Sequence, residues 1–315
     1  MIETRLGTQG SRLGVRGGAL AILVLAITPP CEAKLTGAAE LSAAYDSILD
    51  ARFDRADEQL KRACPPAPSE ACQILRVAAM WWRIQINPDD RTGDRRFNEA
   101  AAAAIAAADA WTRREPERAE SWFYLAAAHA PLVQWEIVRG ERLSAARHGN
   151  RIRIALERAL AIDPSLGDAH FGIGMYAYYA DVAPAAAKIL RWLMFLPGGD
   201  RVKGLNEMSR ARDAGEILRG EADYQLHLIY LWYENRPHDA IALLRGLDQR
   251  YPFNPLFLQR IAEAYDTYLH DVRASAAAWQ ALADRASLDR AYDAARVGRL
   301  AERKRRAIIT REQKK

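Results

Sequence analysis

The sequence predicts an all-α protein built from helical hairpins that follow one another along the chain. Alanine, the best helix former, supplies 60 of the 315 residues, whereas valine, which favours strands, occurs only nine times. Neither Asn-Gly nor Asp-Gly, the dipeptides typical of tight β-hairpins, occurs in the chain. Apolar residues instead recur at spacings of three and four, separated by short segments rich in proline, glycine, asparagine and aspartate.

The first 33 residues have the features of a secretory signal. Positive charge comes first, from Arg5, Arg12 and Arg16, and is followed by a short apolar stretch over residues 18–28. This stretch is too short for a mature transmembrane helix, which needs roughly 20 residues. We expect cleavage after Ala33 and a periplasmic or secreted protein. The alternative is an uncleaved signal that anchors the protein in the inner membrane.

Positive charge is concentrated at the C-terminus. Residues 296–315 contain nine Lys or Arg against two Glu, while the whole chain carries a formal charge of only +5. The body of the protein is therefore mildly acidic. Such a tail could contact anionic lipid, at about 1 kcal/mol per basic residue near a charged membrane, or it could be a solvated end that keeps the protein soluble. We expect no nucleic-acid partner.

Cysteine usage agrees with export. Once Cys31 is removed with the signal, Cys64 and Cys72 remain, and the prolines between them predict a turn that joins two helices. We expect a disulfide in an oxidising compartment, worth roughly 2.5 kcal/mol in the chain-entropy model. The alternative is a pair of buried free thiols. A zinc site is disfavoured because no histidine or further cysteine lies nearby in the sequence.

A proline ends successive helical segments at a recurring spacing. Pro116, Pro164 and Pro252 are separated by 48 and 88 residues, which are one and two periods of 34 with additional residues. A 34-residue helix-turn-helix period predicts an array in which each pair buries its apolar faces against its neighbours. The additional residues predict two insertions, one near residues 131–147 and one that contains residues 184–196.

At these positions the chain resembles the tetratricopeptide repeat (TPR) family. The first helix of a TPR repeat opens with a large residue, followed by an aliphatic residue and a small one. Trp122, Leu125 and Ala126 match this pattern, and so do His170, Ile173 and Gly174. The second helix of a repeat is matched by Ala240, Leu244, Leu247 and Pro252, and more loosely by Ala274, Ala278, Ala281 and Ala286.

The resemblance covers about residues 83–286, and residues 38–82 are expected to add one divergent pair. It implies a right-handed superhelical array with two insertions over residues 34–286, followed by a capping helix and basic tail over residues 287–315. Residues 171–257 also look like a secreted bacterial repeat subfamily of unknown activity.

The resemblance also implies a concave groove lined by the first helix of each pair. The residues mapped to this groove are Phe171, Met175, Tyr178, Tyr179, Gln225, Ile229, Trp232, Tyr233, Gln259 and Glu263. Aromatic side chains beside amides and acids suit a protein or peptide partner. The same tyrosines and tryptophans could instead form the core of the repeats.

One segment, residues 184–196, is apolar almost throughout. A helix that is apolar on all sides is either buried or an interaction element. We therefore expect it to fill the interior of the array, or to contact a membrane or a partner through Trp192, Phe195 and Leu196.

No catalytic motif accompanies these helices. Gly172 and Gly174 lack the preceding strand and third glycine of a nucleotide loop, so we assign them to helix packing. The six histidines form no metal-spaced pair on one helix, and we expect His170 and His227 to be hydrogen-bonded interior residues. We expect a non-enzymatic scaffold, without cofactor or metal, that binds a protein or peptide. The alternative is a peripheral membrane protein that uses the 184–196 segment and the basic tail.

Overall fold

The computed structural model describes residues 35–185, 188, 197–288 and 294–313. The chain divides into two compact units, residues 1–32 and residues 33–315, and the first unit lies outside the described residues. Thirteen helices make up the described part of the second unit, and no strand occurs in it. The prediction of an all-α protein is confirmed.

The helices have the following bounds: α1 Ala38–Leu49, α2 Phe53–Ala63, α3 Ser69–Ile86, α4 Asp94–Arg114, α5 Ala119–Arg139, α6 Arg142–Ile162, α7 Ala169–Val182, α8 Arg201–Ala214, α9 Arg219–Trp232, α10 Pro237–Arg250, α11 Pro255–Thr267, α12 Val272–Leu288 and α13 Ala294–Gln313.

Each helix packs against the next one along the chain, from α1 to α13. In addition α1 contacts α3, and α3 contacts α5, as expected when the first helices of successive hairpins share one side of an array. Helices α5 and α6 have 21 residues each, against 14 each in α9 and α10. The longer pair coincides with the first predicted insertion, while both insertions and the right-handed superhelix stay predictions.

Close approach of α7 and α8 depends on two glycines. A Cβ atom on Gly174 would lie 2.7 Å from the carbonyl oxygen of Gly204, and a Cβ atom on Gly204 would lie 2.7 Å from that of Gly174. Real Cβ atoms do not come so close to a backbone oxygen. The sequence interpretation of Gly174 as a helix-packing residue is therefore confirmed.

The turn between α2 and α3 holds the predicted cysteine pair. The sulfur atoms of Cys64 and Cys72 are 2.01 Å apart, which is a disulfide bond. At the other end of the chain, α13 packs against α12 and buries Val297, Ala301 and Ile308. The basic tail is therefore helical to Gln313 and packs on the fold through one apolar face.

The start of the described chain is bound far along the sequence. The amide nitrogen of Leu35 donates to Glu216 (2.9 Å), and that of Thr36 donates to Glu120 (2.8 Å). At the end of α1, Asn254 donates from its side chain to the carbonyl oxygen of Leu49 (2.6 Å). These bonds hold the start of the described chain and α1 against residues that are 84 to 205 positions away in sequence.

Candidate binding surface

The N-terminal helices cover part of the first helices of the later hairpins. Helix α1 contacts α9, and α3 contacts α11. The Trp82 ring of α3 packs on Tyr224 of α9 with ring centres 4.9 Å apart, and on Phe257 of α11 at 6.1 Å. The first helices of the early hairpins therefore meet those of the late hairpins directly.

A buried polar network joins these facing helices. The Tyr45 hydroxyl of α1 donates to Glu221 of α9 (2.9 Å), and the Gln225 amide donates to the same carboxylate (2.9 Å) and to Gln134 of α5 (3.3 Å). Trp81 of α3 also donates to Gln134 (2.9 Å). Burial raises the pKa of Glu221, although the hydrogen bonds from Gln225 and Tyr45 oppose that shift.

The ten residues assigned to the groove fall into three groups by burial. Trp232 and Tyr233 are exposed, with 59% and 45% of their surface accessible. The half-buried residues are Met175, Tyr179, Gln259 and Glu263, and the buried ones are Phe171, Tyr178, Gln225 and Ile229. Gln225 contributes to the internal network, so it offers no surface to a partner in this structure.

Tyr233 of the exposed pair packs in a cluster of tyrosines. Tyr178, Tyr179 and Tyr233 pack edge to face, with ring centres 5.6 to 5.9 Å apart. The Tyr178 hydroxyl donates to Glu234, which also pairs with Arg201 of α8. The C-terminal ends of α7 and α9 thus hold a packed aromatic group, which we call the tyrosine cluster (Tyr178, Tyr179 and Tyr233) and of which Tyr233 is exposed.

A cavity of about 540 Å³ opens beside Trp232, between α9, α11, α12 and α13. Glu263 lies on its wall, where it accepts hydrogen bonds from Gln259 (2.9 Å) and Arg260 (2.6 Å). We call it the C-terminal cavity. It brings Trp232 and Glu263 together, while the tyrosine cluster lies outside its lining.

The histidines behave differently from one another. His170 bonds Glu207 through Nδ1 (2.6 Å), as expected from the sequence. His227 is buried as expected, and the Tyr224 backbone acts on its ring as a weak hydrogen-bond partner that does not fully satisfy either nitrogen. Sequence periodicity placed His227 in the interior, but it could not show that a cavity lies beside the ring.

The Nδ1 atoms of His129 and His148 lie 2.8 Å apart, between α5 and α6. This pair was missed because its members lie on different helices. Burial lowers the pKa of His129 to about 4, so the ring is neutral at neutral pH. Within the part of the chain that the structure describes, no group of three His, Cys, Asp or Glu side chains could hold a metal ion.

The predicted membrane-contact residues Trp192, Phe195 and Leu196 lie outside the described residues, as does most of the 184–196 segment. Among the helices that the structure describes, none is long and apolar enough to cross a bilayer. The chain matches no protein-family model, and no curated protein is significantly similar to it.

Proposed function

We propose that the protein is a non-enzymatic helical-repeat scaffold that is exported and binds a protein or peptide partner. The array is of the TPR type, and its partner surface consists of Trp232, Tyr233 and the neighbouring Tyr179. The observation that carries the proposal is the exposure of two large aromatic side chains at the end of α9, Trp232 and Tyr233. The ring of Tyr233 packs on that of Tyr179.

Rigid aromatic residues suit this role because they bury a large area at a small cost in conformational entropy. Trp232 and Tyr233 are adjacent, and the packing of Tyr233 on Tyr178 and Tyr179 limits its motion. The filled interior supports the same assignment, because Gln225 and Ile229 are already in contact with the chain itself.

Site-specific photo-cross-linking in the native cell tests this surface. A benzoylphenylalanine at position 233 should cross-link to a defined partner, and Trp232→Ala should abolish that product. The matched control places the cross-linker at Ile137, which is equally apolar and 60% exposed at the end of α5. If positions 233 and 137 give the same products, or if Trp232→Ala and Tyr179→Ala leave them unchanged, the surface is not the partner site.

Export is supported by the disulfide between Cys64 and Cys72, because such bonds persist in oxidising compartments. Mass spectrometry of the protein isolated from its own cells should give a mature chain that begins at Lys34. A chain that retains residues 1–33 would favour the membrane-anchored alternative.

A second candidate function is association with an anionic membrane surface. The observation that favours it is the basic, exposed side of α13, where Arg299 and Arg303 lie opposite the buried Val297 and Ala301. Replacing both arginines by glutamine should weaken flotation with phosphatidylglycerol vesicles, at about 1 kcal/mol for each charge. Unchanged flotation, or none with the wild-type protein, would exclude this role for α13.

A further inference from the structure

The hairpin of α5 and α6 exposes a concentration of apolar side chains. Eight large apolar or aromatic side chains are exposed in the described chain, and four of them lie within residues 137–154. These four are Ile137 and Val138 at the end of α5, and Leu143 and Ile154 on α6, each with 48% to 60% of its surface accessible. Single exposed apolar residues need no explanation, but their concentration on one hairpin marks a contact surface.

The exposed side of α6 combines two of these apolar residues with arginines. Leu143, Arg147, Arg151 and Ile154 follow one another at spacings of four, four and three, which places them on one face of the helix. All four are exposed, and they extend over about 16 Å of helix. We call this surface the α6 face (Leu143, Arg147, Arg151 and Ile154).

Positive charge dominates this part of the hairpin. Residues 137–154 contain five arginines and one glutamate. Two of the arginines are paired with carboxylates of the fold, whereas Arg142, Arg147 and Arg151 form no ion pair with any described residue. The glutamate, Glu141, lies two residues before the α6 face begins and therefore on the other side of the helix.

The surroundings leave the hairpin open and do not neutralise it. A Cβ atom on Gly140 or Gly149 would have no neighbouring atom of the fold within 4 Å, so the turn and the first part of α6 border open space. The adjoining turn, residues 88–96, is bonded to Arg139 through the carbonyl oxygen of Pro88 (2.7 Å). That turn carries three acidic and three basic side chains, so the hairpin keeps its net positive charge.

We propose that the α6 face docks on the surface of an anionic phospholipid membrane. Leu143 and Ile154 enter the boundary between headgroups and acyl chains, while Arg147 and Arg151 bind lipid phosphates through their guanidinium groups. The two exposed aliphatic residues at the end of α5 extend the apolar contact. The helix lies in the plane of the membrane surface and does not cross the bilayer.

The composition of the face favours lipid over a protein partner. Its apolar residues are aliphatic, whereas the residues that dominate protein interfaces are mainly aromatic, as Trp232 and Tyr233 are. The planar guanidinium group donates two parallel hydrogen bonds to a phosphate, which suits the headgroup layer. The assignment does not rest on the proposed partner surface of α9, and its residues differ from those of the basic side of α13.

Photo-cross-linking to lipid locates the contact on the protein isolated from its own cells. The vesicles contain phosphatidylcholine and a phosphatidylglycerol with a diazirine in its acyl chain, and mass spectrometry maps the adducts. We expect adducts at Leu143 and Ile154. The matched control is Val202 of α8, an aliphatic residue outside this hairpin that is 68% exposed and should carry no adduct. The same label on phosphatidylcholine in neutral vesicles should give less than about a tenth of the yield.

Loss of the apolar side chains tests their insertion. Leu143→Ser combined with Ile154→Ser should weaken binding to phosphatidylglycerol vesicles about tenfold or more, because both side chains leave water when the face docks. The control Val202→Ser should leave binding unchanged. All three side chains are exposed, so the variants should fold like the wild type, and urea denaturation checks this.

Loss of the arginines tests the phosphate contacts. Arg147→Gln combined with Arg151→Gln should weaken vesicle binding about fivefold for each arginine, and by less at high salt. The matched control is Arg55→Gln combined with Arg62→Gln, because these exposed arginines of α2 also form no ion pair with any described residue. This control makes the same change in net charge and should alter binding by less than about twofold.

Three results would overturn the proposal: adducts confined to α13, equal losses of binding in the control and α6 variants, or no binding of the wild-type protein to phosphatidylglycerol vesicles. A benzoylphenylalanine at position 154 that yields a protein product in the native cell, and no lipid product, would identify a protein interface instead. Loss of the partner cross-link at position 233, or flotation unchanged by replacing Arg299 and Arg303, would leave the α6 face standing.

Discussion

The inner sides of α9 and α11 meet two different environments along their length. Near their starts, Tyr224 and Phe257 pack on Trp82 of α3, and Glu221 is hydrogen-bonded to α1. Three residues later on each helix, His227 and Arg260 contribute to the lining of the C-terminal cavity. The same sides of these two helices are therefore covered by α1 and α3 over one part and border the C-terminal cavity over the next.

The largest expected effect is the difference in unfolding free energy between substitutions of a buried and an exposed tryptophan. Trp82→Ala should lower the free energy of unfolding by about 3–5 kcal/mol, because it leaves a cavity in a buried aromatic cluster. Trp232→Ala, at a side chain that is 59% exposed, should change it by less than about 0.5 kcal/mol. Urea denaturation measures both, and similar values would contradict the distinction between a filled and an open region.

The two regions should respond to pH with opposite signs. Folded His227 takes up a proton only near pH 3, against about 6.5 in the unfolded chain, so unfolding binds a proton between these values. Its contribution to stability is present above pH 6.5 and is lost as the pH falls. The stability difference between wild type and His227→Leu should therefore shift by about 2 kcal/mol between pH 6.5 and pH 5.

Glu221, in the filled region, should behave in the opposite way. Its raised pKa means that the folded chain retains the proton at a pH where the unfolded chain has released it. Its contribution is therefore present at acid pH and is lost as the pH rises through the folded pKa. Urea titrations of Glu221→Gln at several pH values should lack that decline. A decline that persists in the variant would assign it to another group.

A smaller effect distinguishes two tyrosine hydroxyls. Tyr45→Phe removes a hydrogen bond to the buried Glu221 and should cost about 1–2 kcal/mol of unfolding free energy. Tyr268→Phe, on the wall of the C-terminal cavity, should be neutral within about 0.5 kcal/mol. Thermal denaturation of both variants gives the comparison, and a neutral Tyr45→Phe would show that the network adds no stability.

The smallest effect concerns two glycines. Gly298→Ala in α13 should raise the unfolding free energy by about 0.5–1 kcal/mol, because the new Cβ atom would make only an ordinary 3.6 Å contact with Ala286. Gly220→Ala in α9 should lower it, because its Cβ atom would lie 2.4 Å from Leu49 and 2.8 Å from the Tyr251 hydroxyl. Equal changes in unfolding free energy, measured by chemical denaturation, would mean that the residues around Gly220 can shift to accommodate a Cβ atom.

Much of the fold could be predicted from residues that act on their near neighbours in the sequence. Alanine content, proline stops and the Gly174 contact specify helices and their packing with near neighbours, and the prolines around Cys64 and Cys72 specify a turn. Such features act within a few residues or between successive helices, where one sequence contains enough information.

The candidate site was harder to predict because its burial depends on distant contacts. Gln225 and Trp232 both fit the pattern of a first helix, yet one is buried by α5 and the other is exposed. Helical periodicity gives the face on which a residue lies, but not whether another helix covers that face. His227 shows the same limit, because its periodicity predicts burial without predicting whether its nitrogens have partners.

The bonds that hold Leu35 to Glu216 and Leu49 to Asn254 have a consequence for how the molecule folds and evolves. An open solenoid is stabilised repeat by repeat, so units can be deleted or duplicated with graded losses. Here the N-terminal segment and α1 are bonded to the turns that precede α9 and α11, so removal of a hairpin between them would break these contacts. The chain should therefore unfold as one cooperative unit, and losing a single repeat should disable it entirely.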